Sequence, residues 1–589
     1  MNGFEGDTLK EEKERGITID LSFSNISRGD RNIAFIDVPG HEKLVKNMIS
    51  GAFGFDSVMI VVSAAEGIKP QTVEHLEILK LLGVRDAILI ISKKDLVSRE
   101  ELHSKIDEIQ AFVAKYAFNI QALLPVSIYD NTSIEALKEK LFSLALKNRE
   151  EEHFFRLYID RVFSMKGQGC VITGTVLGKE ITPQEKLLVC DINKTCKIKN
   201  MQVHSQNAEI AKISHRVALN LANVDAKALK KGFLLSKKGY LRGFRNIDIA
   251  FSTLGENRKL RHNKNYAIYI GAKRFEAKVT LFDLTEGAEK GFATIKAEQD
   301  LFAVYGEKLI IRDANRTIAG ATVLNPIADP LRKKQKLRLL EALEKQDFRS
   351  AYEVLLEAHR HGLGLVSSVQ RFALSHEEAL QQAKMLEDVF VDENALVVYP
   401  LRTQGEIVET IRAIYEKNPY ALLSEASLKL RLPWAGSAFI ASAFQILAEE
   451  GLLKEEENLY SSTDVAEDLS IVLETHILKR LEEEGFSPSA PNNIYDDLDA
   501  DRKYADRILR SLCNRKRAIK LQHNLFIHTE NLGQIVVEMR KIMQEEGYID
   551  ICNFRERHAL SRKYLVAYLE YLDRFSDIVK EGDKRVPLL

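Results

Sequence analysis

The sequence predicts a multidomain chain. An α/β domain with a mostly parallel sheet comes first, then two antiparallel β-barrels, then tandem α+β winged-helix units. Three observations predict this. Residues 1–147 alternate apolar runs of strand length with amphipathic helical patterns. Between 154 and about 328, short alternating runs are separated by Gly, Asn and Pro, and helical periodicity is scarce. From 335 onward the chain reads as mostly helical, with a coarse repeat.

Bulk properties set the limits. A chain of 589 residues has room for about four domains at roughly 100–200 residues each. A net charge of −1 gives no global pull toward nucleic acid or membrane, so any such contact has to come from local patches. No apolar run is long enough to span a bilayer, and the acidic, polar N-terminus is no signal peptide. The five cysteines, at 170, 190, 196, 513 and 552, form no C-x-x-C. A reduced, cytoplasmic protein without structural zinc or membrane contact is the expectation.

In the first domain (1–150), "NIAFIDV", "DSVMIVVSA", "RDAILIIS" and "LLPVS" read as strands buried on both faces of a parallel sheet. "QTVEHLEILKLLG" is a helix stopped by Gly83. A charged linker, "KNREEEH" (147–153), leads to the barrels, expected at 151–237 and 238–330. "NPIADPLRKK" (325–334) is the second linker. Helices ending in "AEEGLLK" (448–454), "LEEEGFS" (481–487) and "QEEGYID" (544–550) suggest units of about 60 residues, two of the three leading into a short β-like turn. The divisions expected are 331–400, 401–465, 466–529 and 530–589.

Four pieces carry nucleotide chemistry. In "IDVPGH" (36–41), Asp37 at a strand end can hold Mg²⁺ through a water. Gly40 lets its N–H approach a γ-phosphate, and His41 can orient an attacking water. Taken alone, D-x-P-G is equally a strand-ending turn. Upstream, Thr18 of "GIT" can join Mg²⁺ and the γ-phosphate. In "SKKD" (92–95), Asp95 can accept from guanine N1–H and the exocyclic amine while the Lys93 stem packs on the base. "PVS" (125–127) offers a backbone donor to guanine O6 at Ser127. Their order, each at a strand end, points to a GTPase.

The combination resembles the translational GTPases, the group of elongation factor Tu. That family's set begins with G-H-x-D-H-G-K-T, and no G-x-x-x-x-G-K-[ST] occurs here. Two explanations stand: a truncated start, or a real loss of activity. Truncation is the expectation, because Thr18 and His41 matter only if nucleotide binds. Without that cradle, four or more hydrogen bonds of about 1.5–3 kcal/mol each are lost, at least a thousandfold in affinity.

"FRLYIDRVFSMKGQGCVITGTVLG" (155–178) resembles the second domain of these factors, and "KLIIRDANRTIAGATVLNP" (308–326) the close of the third domain of the bacterial selenocysteine-specific elongation factors. The latter resemblance covers nearly the whole chain. It implies binding of GTP, Mg²⁺, selenocysteyl-tRNA, the ribosome and an mRNA hairpin, by a protein acting as a monomer. It also implies a selenol-sensing pocket at Asp160, Arg161 and Arg216, where fixed guanidiniums would read an anion. A structural ion pair is the other reading of those residues.

For the tail, the resemblance implies RNA binding. In "FRERHALSRKYLVAYLEYLDRFSDIVKEGDKRV" (554–586), Ser561 reads as an N-cap and Leu565, Leu569 and Leu572 as a core face. Arg562 and Lys563 would lie in an exposed first turn, Lys584 and Arg585 on the wing, and Arg555 and Arg557 one helix earlier. Residues 555–585 hold eight Lys/Arg against six Asp/Glu, so a solvated helix face is the plain alternative. "NRKRAIK" (514–520) is a second, weaker patch. A nucleotide-independent RNA adaptor and a winged-helix DNA regulator are the rival functions.

Overall fold

The computed structural model describes residues 22–29, 31–38, 49, 55–145, 153–165, 169–203, 206–255, 258–282, 289–314 and 316–588. Thr18, Gly40, His41 and most of the first linker lie outside them. The chain divides into two compact units: residues 1–359 with 364–386, and residues 360–363 with 387–589.

In the first unit, β1 (Ser22–Arg28) and β2 (Arg31–Asp37) form an antiparallel hairpin about Gly29, whose φ of +58° suits the tight turn. β3 (Val58–Ser63), β4 (Asp86–Ser92) and β5 (Asn119–Pro125) form a separate parallel sheet in the order β3-β4-β5. This corrects one expectation. "NIAFIDV" is β2, and among the described residues it is hydrogen-bonded to β1 alone. A two-residue turn brings β1 and β2 together at little loop-closure cost, whereas parallel pairing needs a long crossover. The hairpin still packs on the sheet: Ile26, Ile33 and Phe35 meet Ile88, Ile90, Leu137 and Leu141.

β4 is the buried middle strand, with Ala87, Ile88, Leu89, Ile90 and Ile91 each at most 4% exposed. That continuous apolar run is what a parallel strand covered on both faces requires. The helices start where a proline removes a free N–H or a side chain satisfies one. Pro70 opens Pro70–Leu81, a Ser98–Glu101 capping box opens Arg99–Ala114, and Asp130 caps Asn131–Ser143.

Eight antiparallel strands follow: β6 (Arg156–Tyr158), β7 (Arg161–Met165), β8 (Gly169–Thr175), β9 (Lys186–Val189), β10 (Lys194–Val203), β11 (Gln206–Asn207), β12 (Arg216–Ala222) and β13 (Leu234–Ser236). The order is β6-β13-β9-β10-β12-β8-β7, with β11 on β10. The end strands β6 and β7 are joined directly through Ile159 and Asp160, so the sheet wraps round one core. Gly174 suits a crowded point: a Cβ there would lie 2.6 Å from the Tyr158 carbonyl oxygen.

The next six strands, β14 (Phe244–Thr253), β15 (Lys264–Ile270), β16 (Lys273–Leu281), β17 (Lys290–Leu301), β18 (Lys308–Asp313) and β19 (Arg316–Asn325), form a closed barrel ordered β14-β17-β16-β15-β18-β19. Two buried ion pairs tie it to the preceding sheet: Arg156–Glu307 at 3.0 Å and Lys273–Asp191 at 2.5 Å. "NPIADPLRKK" is no loose tether. Asn325 is fully buried, and the Asp329 carboxylate receives Arg371 at 2.6 and 3.0 Å and His359 at 2.8 Å.

The second unit repeats one order three times, three helices and then a hairpin. The first copy is Gln404–Lys417, Glu425–Arg431, Ser437–Glu449 and the pair Leu453–Glu456/Leu459–Ser462. The second is Leu469–Glu483, Pro491–Asp497, Arg502–Asn514 and Ala518–Gln522/Leu525–His528. The third is Thr529–Glu546, Ile551–Arg557, Arg562–Leu572 and Ile578–Glu581/Lys584–Pro587. This corrects the phase of the expected repeat. "AEEGLLK" closes a third helix and leads into a hairpin, whereas "LEEEGFS" and "QEEGYID" close first helices that lead to another helix. Gly451, Gly485 and Gly547 all have positive φ, so Glu-Glu-Gly fixes the stop of a helix and leaves the next element open.

Candidate nucleotide, aminoacyl and RNA sites

The loops after β4 and β5 lie side by side at the carboxyl edge of the parallel sheet, where open α/β sheets bind ligands. Val126 N–H donates to the Ile91 carbonyl at 2.8 Å, and Lys94 pairs with Asp130 at 2.6 Å, stitching the loops together. Lys93 adopts φ +57°, which turns the chain so that Asp95 is exposed. No hydrogen bond or ion pair holds the Asp95 carboxylate among the described residues. Lys93 reaches Glu66 at 2.5 Å, and hydrogen bonds from Lys69 and Lys93 hold the Glu66 carboxyl down at about 2.

Ser127 is 2% exposed, and its N–H donates to Ser133 Oγ at 3.2 Å. The backbone donor expected there is therefore already engaged. Three exposed apolar side chains ring this edge: Leu96, Ile128 and Tyr129, the last two 78% and 84% exposed. Sequence reasoning missed them. "SIYD" directly after a strand was the available signal, since large apolar residues at a loop tip are otherwise unexplained. Asp37 ends β2 and is exposed.

In the wrapped sheet, Asp160, Arg161 and Arg216 do come together. Arg216 donates to both carboxylate oxygens of Asp160, one at 3.1 Å, and to Thr173 Oγ1 at 3.2 Å. Thr173 also donates to Asp160. The backbone enforces this, because β8 lies between β7 and β12 and pairs Thr173 with Arg161. Phe23 of β1 covers the group: its ring centre lies 3.4 Å from the Arg216 guanidinium carbon and 5.4 Å from that of Arg161. Nothing in the sequence flagged Phe23, which lies 193 positions before Arg216.

In the last copy, Ser561 stands at the N-cap without a side-chain capping bond, and Leu565, Leu569 and Leu572 are buried. Arg555, Arg562 and Lys563 are exposed. Lys584 is exposed and lies 3.7 Å from the Tyr548 ring centre. Two expected contacts differ. Arg585 is 6% exposed and bonds both oxygens of Asp573, at 2.9 and 3.0 Å, so it braces the wing from inside. Its neighbour Lys584 faces outward because strand residues alternate. Arg557 pairs with Glu545 at 2.8 Å on the surface.

Residues 3–147 match the family model "Elongation factor Tu GTP binding domain". The match, with a wrapped sheet and a closed barrel behind the parallel sheet, places the chain among the translational GTPases. Residues 248–330 match "Selenocysteine-specific elongation factor, beta-barrel domain", and residues 541–586 match "Elongation factor SelB, winged helix". The Selenocysteine-specific elongation factor of Desulfomicrobium baculatum is 28% identical over 99% of this chain and 96% of its own length. That of Escherichia coli K12 is 26% identical over 99% and 95%. A crystal structure of a bacterial selenocysteine-specific elongation factor superposes with a TM-score of 0.67, 25% identity and 99% and 96% coverage. The chain belongs to the selenocysteine-specific elongation factors.

Proposed function

We propose that this chain delivers selenocysteyl-tRNA to the ribosome at a recoded UGA codon, working as a cytoplasmic monomer that also holds an mRNA hairpin. The observation that carries the reading is the cluster of Asp160, Arg161 and Arg216 in a chain that also leaves Asp95 exposed at the carboxyl edge of its parallel sheet.

A guanine nucleotide fits the edge. Asp95 offers an unengaged carboxylate for two base donors, and Leu96, Ile128 and Tyr129 can keep water from the ring. Ser127 would act as part of the loop frame. For Mg²⁺, Asp37 is the described oxygen donor, with Thr18 as the family-implied partner. Such an ion neutralises phosphate charge, while His41 and Gly40 would position water and phosphate. Arg161 and Arg216 would attract a selenolate and reject a neutral seryl group. Arg562, Lys563 and Lys584, with Arg555 beside them, would meet hairpin phosphates, and Arg557 and Arg585 would support that surface. The units acting in this scheme are divided at 150, 237, 330, 400, 465 and 529.

Protection of the aminoacyl ester is the direct test. With GTP and Mg²⁺ present, the chain should slow hydrolysis of selenocysteyl-tRNA and leave seryl-tRNA on the same tRNA unprotected. Equal protection of both would sink the pocket. A second reading, a nucleotide-independent RNA adaptor, draws support from Lys93 being held by Glu66 and Ser127 N–H by Ser133. Binding of the RNA hairpin that labelled GTP does not alter, with no GTP bound, would favour it.

A further inference from the structure

The middle copy of the repeat carries cations that the proposal above does not use. Its third helix, Arg502–Asn514, buries Ala505, Leu509 and Leu512. Lys503, Arg507 and Arg510 are spaced i, i+4, i+7 on the opposite side, and all three are exposed. At 1.5 Å per residue they run about 10 Å along the helix. Lys503 and Arg510 make no hydrogen bond or ion pair with a described residue, and Arg507 has a loose pair with Glu457 at 3.9 Å and lies over the Tyr504 ring, 5.1 Å from its centre. An exposed pair of that length contributes about 0–1 kcal/mol and is readily given up.

The track continues past the helix. Lys516 and Arg517 are exposed in the turn. Lys520, on the next strand, lies 5.8 Å from the Phe526 ring centre. Burial raises the Cys513 thiol and Lys520 partly offsets this, which places the ammonium beside the helix's last turn. Three of the nearby acids are occupied, while Asp468, Glu456 and Glu457 lie around Tyr504, next to Arg507. Glu474 holds Arg515, Asp496 holds Arg502, and Asp506 accepts from the Tyr495 hydroxyl at 2.9 Å. The corresponding helices differ. Ser437–Glu449 has no Lys or Arg, and Arg562–Leu572 has only Arg562 and Lys563.

Position decides the partner. This copy and the last one share a core: Leu521, Leu525 and Ile527 pack with Leu565, Leu569 and Ile578. Tyr564 and Tyr568 of the last copy donate to the carbonyls of Pro488 and Phe486, at 3.0 and 2.7 Å. An RNA held at Arg562 and Lys563 would therefore be presented beside a fixed second surface. We propose that Lys503, Arg507, Arg510 and Lys520 form a second RNA-binding face, which grips the phosphate backbone of double-stranded RNA without reading sequence. The choice of RNA rests on the hairpin reading; the surface itself does not. A row of cations whose neighbouring rings, Tyr504 and Phe526, lie under Arg507 and Lys520 suits backbone contact with an A-form helix, and a folded hairpin's stem is one.

The test uses the full chain and a blunt 20-base-pair RNA duplex, about 20 being enough to exceed one double-stranded contact of about 16 base pairs. The duplex has no loop, so its result does not depend on how the terminal helix treats a hairpin. The triple variant Lys503→Gln, Arg507→Gln, Arg510→Gln changes only exposed positions, and its melting curve checks the fold. Affinity should fall about tenfold or more, and the slope of log affinity against log salt should flatten by about two to three, near 0.9 per lost phosphate contact. Lys520→Gln added to the triple should flatten it further. Unchanged affinity and slope in the triple variant overturn the proposal, as does a tenfold preference for duplex DNA over duplex RNA. If the triple variant fails to fold, Arg510→Glu alone should lower affinity at least threefold, and no change there is equally fatal.

Discussion

Replacing Asp329 with Asn should cost the first unit about 3–5 kcal/mol at pH 7. The size comes from the surroundings. The Asp329 side chain is 1% exposed and that of Arg371 is 5% exposed, so the substitution strands a buried guanidinium that now has a bidentate anion. Burial by itself would raise the Asp329 carboxyl. The hydrogen bond from His359, with the charge and hydrogen bonds of Arg371, outweighs it and holds the group at about 2, against 3.8 when free. That difference corresponds to about 2–3 kcal/mol. The sign is that of a lowered carboxylate: the stabilisation is complete above about pH 4 and disappears as pH falls through 4 toward 2.

Scanning calorimetry of the full chain, resolving its transitions separately, is the assay. One transition should fall by several °C in Asp329→Asn, and its acid limb between pH 4 and 2 should flatten relative to the parent. The double variant Asp329→Leu, Arg371→Met should recover much of the loss, because apolar residues of similar volume can replace a buried pair. A single variant that melts within 1 °C or about 0.5 kcal/mol of the parent would refute the reasoning.

Three further outcomes are expected from the geometry. Asp95→Asn should weaken GTP binding by about 10²–10⁴, from two charge-assisted hydrogen bonds of about 1.5–3 kcal/mol each, with thermal stability unchanged since the carboxylate is exposed. Equilibrium titration with labelled GTP measures this, and a loss below threefold counts against the assignment. A double-mutant cycle of Phe23→Ala with Arg216→Met, read by urea unfolding, should give a coupling of about 0.5–2 kcal/mol for the ring against the guanidinium. Coupling indistinguishable from zero would remove Phe23 from the pocket. Gly271→Ala should lower the melting temperature by several °C, because φ is +52° and the added methyl would lie 2.2 Å from the Tyr158 ring. An unchanged midpoint would mean that the barrel and the wrapped sheet separate more easily than their contacts imply.

Legibility varied with the range of the forces involved. The run 87–91 showed a doubly buried strand because every residue in it is apolar. Leu565, Leu569 and Leu572 showed a helix core by spacing alone, and SKKD showed a strand-end loop because it closes that buried strand. The placement of "NIAFIDV" was not legible, since its apolar residues satisfy a hairpin or a parallel strand equally well. Arg585 shows the same limit. Lys584 and Arg585 are equivalent basic letters, yet the strand turns one to water and the other to Asp573.

The sequence by itself determined the order of architectures, the helix stops at Glu-Glu-Gly, the strand-end motifs and the family likeness. Each of these is written in contiguous residues whose periodicity and backbone freedom act locally. Only the tertiary structure decided that Phe23 covers Arg216, that Asp329 is the anion for Arg371, that Arg585 is internal, and that Lys503 and Arg510 make no ion pair with a described residue. Charge pairing and burial depend on which distant segments meet, and packing of the whole chain sets that.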